Sequence, residues 1–60
     1  MQVQELDVIE MKDGRRGTIL EVFDAGAAFL VEVADLKGKT LDIPVIRAED
    51  VASVVWKNQD

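Results

Sequence analysis

The chain has 60 residues, no cysteine, no histidine and a formal net charge of −5, from 12 acidic and 7 basic side chains. A chain of this length forms one domain, and such a domain buries only about 60% of the surface that its unfolded state exposes. The missing cysteines exclude disulfides and thiolate metal sites, and the missing histidines exclude the usual imidazole ligand and general base. We expect a small acidic domain, spanning residues 1–60, that is stabilised by packing or by a partner.

Short runs of β-forming residues alternate with turn residues along the whole chain. They predict strands at residues 6–11, 15–23, 28–34, 40–46 and 51–56. The segment RAED, residues 47–50, is too short for an α-helix and predicts a single 3-10 turn before the last strand. About five short strands with turn signals roughly every 8–12 residues are typical of a small all-β barrel or sandwich.

Two details favour a strongly coiled barrel. Ile19 and Val22 are the best core candidates of the second strand, yet they lie three residues apart and cannot share a face of a regular strand. A β-bulge at Leu20–Glu21 would reconcile them, and bulges bend small sheets enough to close. Pro44 has no N–H to donate, so it predicts an edge or a break in the fourth strand.

The run DVIEMKDGRRGTILEVF resembles the opening of SH3-like barrels of the KOW type, where a turn leads into Gly-Thr and an apolar strand. Residues 7–54 resemble, more specifically, small bacterial proteins of the domain-of-unknown-function 4926 family. The matching segments are Gly17 to Val22, Val31 to Val33, Gly38 to Thr40 and Ala48 to Val51. Arg47 stands where many members carry proline. The resemblance implies an SH3-like fold and carries no activity with it.

The stretch KDGRR places three cations, Lys12, Arg15 and Arg16, in one loop of an acidic chain. One interpretation is a nucleic-acid or ribosome contact, as KOW-type modules make with phosphates. The overall negative charge opposes a polyanion, and the sequence offers no exposed aromatic platform for bases. The interpretation that we favour is a hairpin whose arginines stay solvated and pair loosely with nearby carboxylates. Those carboxylates are Asp13, Glu10 and Glu21.

Carboxylates are dense near the N-terminus, and a further pair stands at Glu49-Asp50. Such groups can do acid–base chemistry or hold a hard cation. A barrel this small is filled by its own side chains, however, and no nucleophile–histidine set can be assembled. We therefore predict solvated acidic faces, and no enzyme, cofactor or metal site. The carboxylates near the N-terminus are Glu5, Asp7, Glu10 and Asp13.

The surplus of apolar residues points to binding. The predicted core is Ile19, Val22, Phe29, Val31, Val33, Leu41, Ile43, Val45 and Val51. Alternation then pushes other apolar side chains outward, including one of Val54 and Val55. The main candidates for a partner-binding patch are Leu20, Leu30, Ile46 and Trp56. A contiguous apolar patch of several hundred Å² marks an interface, whereas apolar side chains that are exposed singly need no explanation.

These observations predict a noncatalytic protein-interaction module. It would either associate with itself, most simply as a homodimer, or neutralise a basic partner, as an antitoxin or immunity protein does. The alternative is an RNA- or ribosome-binding module that uses the loop from Lys12 to Arg16. The N-terminal segment MQVQELDVIE has no leader-like pattern and no apolar run approaches the roughly 20 residues of a membrane span. We therefore expect a cytoplasmic protein without membrane contact.

Overall fold

A computed structural model describes residues 2–59 and shows an all-β domain. Its six strands are β1 (Val8–Met11), β2 (Arg16–Phe23), β3 (Ala28–Ala34), β4 (Thr40–Asp42), β5 (Val45–Arg47) and β6 (Val51–Trp56). Two 3-10 turns accompany them, at Asp24–Gly26 and Ala48–Asp50. The all-β class and the 3-10 turn before the last strand are thus confirmed. None of the helical segments within residues 2–59 is long and apolar enough to span a bilayer.

The strands form one antiparallel sheet in the order β4-β3-β2-β1-β6, and β5 pairs with the same strand as β4, namely β3. Ile46 of β5 and Val51 of β6 come from opposite ends of this order, yet both belong to one buried cluster. A sheet whose two ends share a core is curled over that core, as in a small barrel. The cluster consists of Ile9, Met11, Ile19, Phe29, Val31, Val33, Ile46 and Val51.

The predicted bulge in β2 is confirmed. Ile19 lies opposite Val31, and Glu21 lies opposite Leu30, so that Leu20 has no counterpart on β3. The extra residue shifts the alternation by one position. For this reason Ile19 is buried and Val22, three residues later, still packs against the same core.

The hairpin between β1 and β2 depends on a glycine and an aspartate. Gly14 has a φ of 93°, and its N–H donates to the carbonyl oxygen of Met11 at 2.9 Å. The Asp13 carboxylate accepts the backbone N–H of Arg15 at 3.0 Å. The predicted Asp-Gly turn is therefore present, and its side chain stabilises the loop locally.

Gly17 is required by close packing between β2 and β3. A Cβ at this position would lie 2.3 Å from Val31 Cγ1 and 2.9 Å from the carbonyl oxygen of Glu32. Distances this short force the neighbouring strand to move. Only glycine lets the two strands approach as they do here.

The prediction of one continuous fourth strand is wrong. The prediction of which of its side chains face the core is also wrong. The chain forms two strands, β4 and β5, which are separated at Ile43–Pro44, where proline interrupts the ladder. After the break, Ile46 lies opposite Phe29 and Val45 lies opposite Leu30. Because opposite residues share a face, Ile46 enters the core beside Phe29 and Val45 points outward.

The exposures confirm this inversion. Leu41, Ile43 and Val45, which we predicted to face the core, are 63%, 50% and 64% exposed. Ile46, which we predicted to face outward and bind a partner, is only 8% exposed. The other predicted core residues are buried or pack against the core: Ile19, Val22, Phe29, Val31, Val33 and Val51.

Strand β1 contributes two core residues that the sequence pattern did not single out. Ile9 and Met11 are both buried and alternate with half-buried positions along β1. The weak alternation of LDVIEM was the available signal. The strand begins at Val8, two residues later than predicted, after a turn in which Leu6 has a φ of 70°.

Candidate interaction surface

The β4–β5 edge of the sheet carries three exposed aliphatic side chains, Leu41, Ile43 and Val45. Val45 lies opposite Leu30 on β3, Ile43 lies in the break before β5, and Leu41 belongs to β4, which pairs with Val33 and Ala34 of β3. Leu30 is half-buried and the other three are exposed. We call these four residues the outer patch. Exposed aliphatic groups along one edge of a sheet offer apolar area to a partner.

The structure brings only some of the predicted partner-binding residues to this patch. Leu30 belongs to it, and half-buried Leu20 adjoins Glu21, the residue opposite Leu30 on β2. Ile46 is excluded because it fills the core. The sequence pattern missed the exposed members of the edge because it placed them on the inner face.

Trp56 is exposed, at 54%, but lies elsewhere on the sheet. Its partner across the ladder is Val8, Val8 lies opposite Thr18, and Thr18 lies opposite Glu32 on β3. Three strand spacings, roughly 14 Å along the sheet, separate Trp56 from β3. Within the sheet, Trp56 is therefore not a neighbour of Leu30.

The backbone of this edge is poorly suited to pairing with an added strand. β4 and β5 have three residues each, and Pro44 between them has no N–H. The N–H of Ile43 donates to the carboxylate of Asp42 at 2.9 Å, and the carbonyl oxygen of Pro44 accepts the N–H of Val31 at 3.0 Å. Short strands, proline and side-chain capping are devices that protect edges from strand addition. A partner must therefore contact this region through side chains.

Glu21 and Arg47 flank the Leu30–Val45 pair of the patch, and the exposed carboxylate of Asp42 stands between Leu41 and Ile43 in the sequence. Glu21 lies opposite Leu30 on β2, and Arg47 lies two residues after Val45 on β5. Both are exposed. Neither takes part in an ion pair among residues 2–59. The patch thus has an acidic side chain on one side and a basic one on the other.

The KDGRR loop is only partly available for phosphates. The Arg15 guanidinium contacts the Asp13 carboxylate at 2.8 Å and approaches Asp42 to 4.0 Å. The Arg15 backbone N–H and then its guanidinium hold the pKa of Asp13 below its ordinary value. Arg16 lies opposite Glu10 on β1, an acidic neighbour across the ladder. The predicted pairing of the arginines is therefore shown for Arg15 and Asp13.

A cleft of about 320 Å³ opens beside this loop, and its lining mixes both signs of charge. Its lining residues are Met11, Lys12, Asp13, Arg15, Ile46 and Asp50. A second cleft of about 300 Å³ is lined by Gln2, Val3, Gln4, Val22, Ala25, Gly26 and Phe29. Within residues 2–59, no three carboxylates come close enough together to hold a metal ion.

The predicted exposure of the Asp7 side chain is wrong. We predicted a solvated carboxylate, but its side chain is completely buried. One carboxylate oxygen accepts the Lys57 ammonium at 2.6 Å and the N–H of Gln4 at 2.9 Å. The other accepts the N–H of Asn58 at 2.8 Å. We call this arrangement the Asp7 clasp.

The clasp joins the two ends of the described chain. Lys57 also donates to the carbonyl oxygen of Gln2 at 2.8 Å, and the Gln4 side chain donates to the carbonyl oxygen of Asn58 at 2.9 Å. Burial raises the pKa of Asp7, but the Lys57 ammonium and the N–H groups of Asn58 and Gln4 outweigh it. The pKa of Asp7 therefore lies below its ordinary value.

Fold and surface together define a small all-β domain with a charged internal clasp and an exposed aliphatic edge. A family model for a domain of unknown function, DUF4926, matches residues 3–53. The chain belongs to this family. No curated protein and no solved structure matches it.

Proposed function

We propose that this domain is a noncatalytic protein-interaction module that associates with a second copy of itself through the outer patch. The observation that carries the proposal is the exposure of Leu41, Ile43 and Val45 along β4, the break after it and β5. A thin-cored domain of 60 residues gains from covering such side chains, because each buried aliphatic group contributes about 1.5–3 kcal/mol.

A second copy fits the patch better than a basic protein does. The patch has an acidic residue, Glu21, on one side and a basic residue, Arg47, on the other. A surface with both signs beside an apolar centre is complementary to itself. A wholly basic partner would leave Arg47 opposed by like charge. Two-fold homodimers are also the commonest soluble oligomers.

RNA or ribosome binding has weaker support. Such binding needs cations that are free to meet phosphates. Arg15 is instead held by Asp13 and lies near Asp42, and the cleft beside the loop contains Asp50. Retention of the wild-type chain on an RNA column that weakens with added salt, and is lost in the Arg15→Ser/Arg16→Ser variant, would favour this function instead.

Sedimentation equilibrium of the wild type and of Val45→Glu tests the proposal. A charge within the patch should weaken self-association by at least about tenfold, or 1.4 kcal/mol. The matched control is Val55→Glu, since Val55 is an exposed valine on β6, away from the patch. This control should associate as the wild type does.

Two outcomes would contradict the proposal. A wild-type chain that stays monomeric at high micromolar concentration would show that the domain does not self-associate. A Val55→Glu variant that loses association as strongly as Val45→Glu would show that the contact does not depend on the outer patch. Circular dichroism spectra of each variant establish that the fold is intact.

A further inference from the structure

We infer that the two copies meet across a two-fold axis that pairs Glu21 of each chain with Arg47 of the other. This inference rests on the proposed function and adds to it the orientation of the contact and the residues that specify it. It follows from the register of β2, β3 and β5 and from the charges that flank the outer patch.

The register places the two charges at similar distances from the midpoint between Leu30 and Val45, the two members of the outer patch that lie where β5 pairs with β3. Glu21, Leu30 and Val45 form one row across three neighbouring strands. Glu21 therefore lies about one and a half strand spacings, or roughly 7 Å, from the midpoint between Leu30 and Val45. Arg47 lies half a spacing to the other side and two residues along β5, which also amounts to roughly 7 Å.

Equal distances are the condition that a two-fold contact imposes. An isologous interface places each residue of one copy against a residue of the other, and the same pair recurs on the far side of the axis. Two groups can meet in this way only if they are equally far from the axis. Glu21 and Arg47 satisfy that condition around the Leu30–Val45 centre, and their charges are opposite.

Neighbouring charges are less suited to this role. Arg15 is held by Asp13, and the Glu32 carboxylate accepts the hydroxyl of Thr40. Glu21 and Arg47, by contrast, are exposed and belong to no ion pair within residues 2–59. Complementary charges at the rim of an interface set its register and orientation more than its affinity. The outer patch then supplies the affinity, and the two ion pairs select one arrangement.

Charge reversal at the two positions tests the pairing. Glu21→Arg and Arg47→Glu should each weaken self-association by about threefold to tenfold, because each homodimer then opposes like charges twice. The double variant Glu21→Arg/Arg47→Glu should associate as the wild type does, since the reversed pairs form again. An equimolar mixture of the two single variants should form more heterodimer than chance allows. Native mass spectrometry distinguishes these dimers by their mass.

The matched controls are Glu49→Arg and Lys37→Glu. Both residues are exposed and lie outside β2, β3 and β5. Glu49→Arg changes the net charge as Glu21→Arg does, and Lys37→Glu changes it as Arg47→Glu does. A control mixture with the same heterodimer excess would attribute the effect to net charge and overturn the pairing.

These experiments distinguish the Glu21–Arg47 pairing from the self-association on which it depends. If Val45→Glu abolishes association while the charge reversals leave it unchanged, the outer patch is the interface and the pairing is wrong. If the wild type itself remains monomeric, the proposed self-association fails, and the pairing fails with it.

Discussion

The Asp7 clasp and the outer patch reverse the usual relation between residue type and burial. A carboxylate is completely buried at the clasp, while aliphatic side chains stand in solvent along the β4–β5 edge. Both regions lie at the margins of the same sheet. Their difference shows that hydrogen-bond partners and strand register decided burial at these places, and residue hydropathy did not.

Each reversal has its own physical cause. Asp7 tolerates burial because it accepts three hydrogen bonds, one of them from a cation. Val45 is exposed because the break at Pro44 sets Ile46, its neighbour, opposite buried Phe29. A charge that is buried and paired contributes to the stability of the folded chain, whereas an exposed aliphatic edge is available for contact with another molecule. The clasp should therefore govern stability, and the patch should govern association.

The largest expected effect comes from removing the clasp. Asp7→Ala should lower the free energy of unfolding by about 3 kcal/mol, because it leaves Lys57 and two backbone N–H groups without their acceptor. Asp13→Ala removes an exposed carboxylate that contacts a cation and accepts a backbone N–H in the hairpin turn, and it should cost clearly less, because water can replace much of what is lost. Urea unfolding of both variants makes the measurement. Equal losses in the two would show that burial does not distinguish these carboxylates.

Two neighbouring residues of β5 provide the next comparison. Ile46→Ala should cost about 2 kcal/mol or more, since it opens a cavity beside Phe29. Val45→Ala should change stability by less than about 0.5 kcal/mol in the monomer, as surface substitutions do. Thermal or urea unfolding at low protein concentration keeps association from contributing. If Val45→Ala proved the more damaging, the facing of β5 would be the reverse of the one described.

Lowering the pH should weaken the Asp7 clasp and so reduce the free energy of unfolding. Because the pKa of Asp7 is lower in the folded chain, the unfolded chain takes up the proton first as the pH falls. The contribution of Asp7 is thus fully present above its ordinary pKa of 3.8 and is lost as the pH falls through the lowered value. The free energy of unfolding, followed from pH 6 downward, should fall less steeply below 3.8 in Asp7→Asn than in the wild type. Parallel curves would contradict this prediction.

Local signals in the sequence predicted much of the fold. The hairpin turn at Asp13-Gly14, the bulge at Leu20 and the 3-10 turn at residues 48–50 are all confirmed. Each depends on a few adjacent residues whose backbone preferences are strong. The family resemblance is confirmed as well. Protein binding, the absence of catalysis and the location in the cell stay predictions.

The candidate surface could be predicted only in part, because facing depends on register. The alternation of TLDIPVI correctly showed that Leu41, Ile43 and Val45 differ from Ile46, but it could not say which set faces the core. Pro44 marked the break. The pairing of β5 with β3 then selected the face, and a shift of one residue exchanges the two faces of a strand.

The sequence by itself determined the turns, the class of the domain and all the strands but the fourth, because these follow from backbone preferences and from patterns within a few residues. Only the tertiary structure decided which apolar side chains remain outside and that Asp7 is buried. The reason is distance along the chain: Asp7 finds its partners at Lys57 and Asn58, 50 and 51 residues away. No local pattern near Asp7 records those partners, and they exist only once the sheet has curled and brought the chain ends together.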